Sequence, residues 1–120
     1  MDEPGYGMTE QRSEKRQQLS HSLLVYDGIS SRIVGRVVDL TPKGMMLACA
    51  EPVWIQEEYR LRMTFADPVD NQTEVSVQAV CRWCREGVEP ETFVAGFQFQ
   101  KLLSEERRLL SHLIEEIGSF

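Results

Sequence analysis

Apolar and polar residues alternate with period two along three stretches of the chain. Tyr59, Leu61, Met63 and Phe65 interleave with Arg60, Arg62 and Thr64. Val75, Val77, Ala79, Cys81 and Trp83 interleave with Ser76, Gln78 and Arg82, with Val80 as the one interruption. Phe93, Ala95, Phe97 and Phe99 lie opposite Gln98 and Gln100. A period of two places one set of side chains on a buried sheet face and the other in water, so each stretch predicts a half-buried strand. Shorter runs precede them, at Leu23–Tyr26, Arg32–Leu40 and Met45–Ala50, punctuated by turn signals at Gly28–Ser31 and Thr41–Gly44. Polar segments at Asp67–Gln72 and Glu86–Glu91 separate the later strands. The count is about six strands.

After Gln100 the period changes. Leu103, Leu110, Leu113, Ile114 and Ile117 fall on one side of a helix, with Ser104 as the expected N-cap, Glu105 and Glu106 in the first turn, and Gly118 as the C-cap. Six strands without intervening helices exclude a parallel sheet built from crossover units. The pattern predicts an all-β fold in the main: a small six-stranded antiparallel β-barrel with its edges closed and one flank covered by a C-terminal α-helix. Residues 1 to about 22 are polar and are expected to form a flexible lead segment, with the folded unit running from 23 to 118.

A chain of 120 residues holds one core of this size. No apolar stretch reaches spanning length, and the first residues lack the basic opening and apolar run of a secretory signal, so the expectation is a cytoplasmic protein with no membrane insertion. The net charge of −6 argues against DNA or RNA as a partner, which would require a broad basic field. Any anionic ligand must be captured locally. Three cysteines are read as free structural thiols. Cys81 and Cys84 have the spacing of half a zinc site, but no second pair follows, and His21 and His112 stand alone, so no metal, cofactor or catalytic set is expected. The chain is read as no enzyme. Trp83, in phase with the buried face, is expected in the core. Met45 and Met46 are expected to fill the barrel interior and its lid, and Trp54 is left unassigned.

Two motifs carry the chemistry. Arg12-Ser-Glu-Lys-Arg16 supplies two guanidinium forks that can meet phosphate oxygens or the O6/N7 edge of guanine. Asp39-Leu-Thr41-Pro-Lys-Gly44 sets a carboxylate and a hydroxyl on one side of an extended stretch, with Gly44 allowing either positive φ or close backbone approach. Each motif alone is ordinary: the first suits a solvated charged face, and the second suits any hairpin turn. Their order, with a barrel pattern between and after them, is the signal.

In that conjunction the chain resembles the PilZ domain, the bacterial cyclic di-GMP receptor module, from Arg12 to about Ile117. Gly35–Leu47 matches its second and third strands, Ala79–Trp83 the penultimate strand, and Ala95–Phe99 the closing one. The resemblance implies a cyclic di-GMP effector in second-messenger control of motility or biofilm. Its ligand would be held by Arg12, Arg16, Asp39, Thr41 and Gly44, with the arginines wrapping one or two intercalated nucleotides. It also implies a downstream protein partner and a monomer or weak dimer. Thr41 stands where the family has Ser; it keeps the hydroxyl and adds a methyl. Counting back from Leu23 also permits a register that pairs Arg16 with Ser20 in place of Arg12 with Arg16. The alternative function is a nucleotide-independent PilZ-like adaptor for pilus or flagellar machinery.

Overall fold

The computed structural model describes residues 23–118. Six strands, β1 (Leu24–Asp27), β2 (Ile33–Thr41), β3 (Gly44–Cys49), β4 (Glu58–Val69), β5 (Gln72–Glu86) and β6 (Phe93–Gln100), are followed by one helix, α1 (Ser104–Gly118). Every pairing is antiparallel, and the order β1-β2-β3-β6-β5-β4 closes on itself through β1 and β4. The expected all-β barrel with a terminal helix is the fold observed.

Local chemistry explains the connections. At the β1–β2 turn the Asp27 carboxylate accepts hydrogen bonds from the backbone N–H groups of Ile29 (2.7 Å) and Ser30 (3.0 Å), while Ser31 adopts a left-handed φ of 66°. Between β4 and β5 the sequence suggested a six-residue turn from Asp67 to Gln72. The strands instead run on to Val69 and Gln72, and only Asp70 and Asn71 turn, with φ of 51° and 66°. Two successive left-handed residues match the right-handed strand twist, and Asp and Asn tolerate that conformation. The irregular register between Thr64 and Val69 absorbs Pro68, which has no N–H to give a ladder.

The core is one cluster. Val25, Val37, Met45, Leu47, Leu61, Met63, Val77, Ala79, Ala95 and Phe97 fill the barrel, and Leu109, Leu110 and Leu113 of α1 are buried with them. The helix packs on β4 and β5. Two helix expectations need correction. Leu103 is 66% exposed and stands outside the apolar stripe, where Leu109 takes a place instead. The N-cap is Leu103 rather than Ser104: the Leu103 carbonyl accepts from the Arg107 N–H, and the Glu106 carboxylate accepts from the Leu103 N–H at 2.9 Å. This is the back-reaching half of a capping box, made without a capping hydroxyl.

Candidate functional site on the outer barrel face

Strand register builds the site. Across β2, β3, β6 and β5, inward rows alternate with outward ones. Leu40–Met45–Phe97–Cys81 and Val37–Leu47–Ala95–Cys84 point into the barrel. The outward rows between and beside them are Thr41–Gly44–Gln98–Val80, Asp39–Met46–Gly96–Trp83 and Arg36–Ala48–Val94–Arg85. Three strand steps of about 4.8 Å separate the ends of each row, roughly 14 Å in all. The two middle strands offer mostly small or flexible residues. The result is a floor of small or flexible residues with Arg36, Asp39 and Thr41 along one margin and Val80, Trp83 and Arg85 along the other.

Two bulges make this alignment. One, between Val37 and Asp39, turns Val38 and Asp39 both to solvent. The other, between Cys81 and Trp83, inserts Arg82 as an extra residue. Beyond it the phase reverses, so Trp83 leaves the core and Cys84 packs against it. The Trp83 ring lies on Gly96, where a Cβ would fall only 2.2 Å from the indole Nε1. Its expected place in the core is therefore wrong, and the cause is one residue that period-two counting does not register. Met46 likewise sits on the outer face, while Met45 alone enters the core.

The motif residues divide in their local chemistry. Asp39 is exposed and has no hydrogen-bond or ion-pair partner among the described residues. Thr41 is engaged: its hydroxyl accepts from the backbone N–H of Lys43 (3.2 Å) and Gly44 (3.3 Å) and donates to the Gly44 carbonyl (3.3 Å). Gly44 does not use a positive φ. Its role is close approach, since a Cβ there would meet the Phe97 carbonyl oxygen at 2.2 Å. Arg12 and Arg16, and the alternative Ser20, lie outside the described residues. The first described residue marks where that segment joins the barrel: the Leu23 carbonyl accepts from the Val37 N–H at 2.9 Å, next to the bulge that presents Asp39.

Sequence reasoning missed three arginines on this face. Arg36 is exposed at the β2 margin. The Arg85 guanidinium lies 4.6 Å from the centroid of the Trp83 ring. Arg82 is held by two neutral amides, donating from Nε to Gln98 Oε1 (2.7 Å) and from Nη1 to Gln56 Oε1 (3.0 Å). None of the three pairs with a carboxylate among the described residues. Together they form a local positive field on an acidic chain, and only the register reveals it. Beneath the face, burial pushes the Cys81 thiol up, keeping it protonated and unreactive. All three cysteines are free, and no cluster of metal-ligating side chains occurs among the described residues. His112 is exposed on α1, and His21 lies outside the described residues. Among the described residues no helix is long and apolar enough to cross a membrane.

A closed six-stranded antiparallel barrel with a terminal helix packed on β4 and β5 leaves the outer face of β2, β3, β6 and β5 uncovered by the helix among the described residues. The chain belongs to the PilZ domain family, whose model matches residues 10–116. Among solved structures it is similar to the PilZ domain of YcgR from Escherichia coli with c-di-GMP. That match has a TM-score of 0.65 and 14% identity, and covers 84% of this chain and 85% of that one. It is also similar to the Bacillus subtilis inhibitor of motility, MotI/DgrA, with a TM-score of 0.60, 15% identity and 79% of this chain covered. The match covers 46% of the length of MotI/DgrA. Both likenesses concern the fold. No curated protein sequence matches this chain.

Proposed function

We propose that this domain is a cyclic di-GMP receptor that binds the nucleotide on the outer face of β2, β3, β6 and β5 and passes the signal to a partner protein. The observation that carries the reading is the row Asp39–Met46–Gly96–Trp83, which sets an unpartnered carboxylate and an indole at opposite margins of one floor. A carboxylate can accept from the N1–H and N2–H donors of guanine together, and an indole can stack on a purine for about 1–3 kcal/mol. The family membership and the likeness to a PilZ domain solved with c-di-GMP support the same ligand. Arg12 and Arg16 would close over it, since their segment joins the barrel at Leu23, bonded to Val37. Thr41 would exchange its bond to the Gly44 carbonyl for one to the ligand. Ordering of the lead segment would be the switch, exchanging chain entropy for charge-assisted hydrogen bonds of about 1.5–3 kcal/mol each.

Calorimetric titration of the full chain with cyclic di-GMP, with GMP as control, tests this. Saturable and selective binding is expected, weakened about tenfold or more by Arg16→Ala or Asp39→Ala. Two observations favour the second reading, a nucleotide-independent adaptor: the Thr41 hydroxyl is spent on its own hairpin, and the Arg85 guanidinium already lies over the Trp83 ring. Absence of heat and an unchanged melting temperature at micromolar nucleotide would select it.

A further inference from the structure

The β5 bulge gives the face a cation that the two motifs do not contain. Arg82 is the inserted residue, and the bulge turns it outward beside Trp83. Its Nε donates to Gln98, the residue paired with Gly44, and Gly44 in turn pairs with Thr41. These pairings set the Arg82 fork on the same outer face as the Thr41 hydroxyl, with only Gly44 and Gln98 between them in the row. Both partners of Arg82 are neutral amides, so its charge is solvated but uncompensated among the described residues. A guanidinium bond to an anionic oxygen adds Coulomb attraction that a bond to a neutral amide lacks. Exchange of Gln56 for an incoming anion is therefore favourable, whereas a salt-bridged arginine would first have to give up a carboxylate.

Resting on the receptor reading above, we propose that Arg82 is a third arginine of the nucleotide site, delivered by the barrel itself, and that it takes a phosphodiester oxygen of the ligand beside Gln98, on the face that also carries Thr41. Gln98 holds the fork in place before the ligand arrives, while Gln56 occupies Nη1. On binding, Nη1 leaves Gln56 for the phosphate while Nε keeps Gln98.

The test titrates the native chain, Arg82→Gln, Arg82→Lys and Gln56→Ala with cyclic di-GMP at low and high salt, with the melting temperature of each recorded. Arg82→Gln should weaken binding about tenfold or more and flatten its salt dependence. Arg82→Lys should restore only part of the affinity, because an ammonium cannot reproduce the fork. Gln56→Ala, which frees the guanidinium, should bind at least as tightly as the native chain. Native binding that Arg82→Gln leaves intact would overturn this assignment alone. Equal losses in Arg82→Gln and Gln56→Ala, accompanied by equal falls in melting temperature, would make Arg82 a structural brace and overturn it too. No binding by the native chain would remove both this assignment and the receptor reading.

Discussion

Replacing Gly96 with Ala tests the outer row directly, because the new methyl meets one side chain. A Cβ on Gly96 would lie 2.2, 2.3 and 2.8 Å from Nε1, Cε2 and Cζ2 of Trp83. Ordinary contact is near 3.5 Å, so the ring must retreat by about 1.3 Å, carrying the Arg85 guanidinium with it. Overpacking of this kind costs about 1–3 kcal/mol, and the lower half of that range is expected because the ring is half-buried and can yield outward. A double-mutant cycle isolates the cause. In a Trp83→Ala background the same Gly96→Ala change should cost under about 0.5 kcal/mol, giving a coupling of about 1–2 kcal/mol. Urea denaturation followed by far-ultraviolet circular dichroism measures all four proteins without relying on the altered indole. If Gly96→Ala costs the same with and without Trp83, the strain lies in the backbone, and the placement of Trp83 on Gly96 is wrong. The row linking Asp39 to Trp83 would fall with it.

Two further outcomes follow from named contacts. Thr41→Val removes three long, exposed hydrogen bonds from the β2–β3 hairpin and should cost about 1 kcal/mol, whereas Thr41→Ser keeps the hydroxyl and should stay within about 0.5 kcal/mol, both read from urea midpoints. Burial, reinforced by Cys84 and Cys81, pushes the Cys49 thiol from 9.0 to about 11. The folded state therefore keeps a proton that the unfolded chain has lost, so stability is full below pH 9 and declines as pH rises toward 11. The decline attributable to this thiol is on the order of a few kcal/mol, and Cys49→Ala should remove that part of the slope in denaturation curves taken at pH 8 and pH 10.5.

The barrel was legible because its strands carry long period-two stretches whose inward members, such as Leu61, Met63, Val75 and Val77, are fully apolar. Asp39, Thr41 and Gly44 were legible as a set because a hairpin of fixed length holds them in register. Trp83 was misread for the converse reason: one inserted residue reverses the phase of a strand without altering its composition. Arg36 shares β2 with Asp39 but lies across the Val37/Asp39 bulge from it, and Arg82 and Arg85 are far from the Asp39 motif in sequence; β3 and β6 bring these last two to the same face. The Asp67–Gln72 turn was drawn too long because polar residues with Pro68 read as loop, while the closing pair Asp70 and Asn71 needs only two positions. At α1, Ser104 carries the preferred capping side chain, but Glu106 already satisfies the Leu103 N–H, so the cap sits one residue earlier.

The strand order β2-β3-β6-β5 has a consequence for how the protein is made. During vectorial synthesis the chain emerges N-terminus first. The Asp39 margin is complete early and the Trp83 margin much later, yet nothing joins them in one sheet until Gly96 arrives and β6 pairs with both β3 and β5. A nascent chain halted before Phe93 would carry all five motif residues and still lack the β6 half of the floor. The outer face is therefore completed only with the last strand, and a product truncated before β6 lacks the row that joins its two margins.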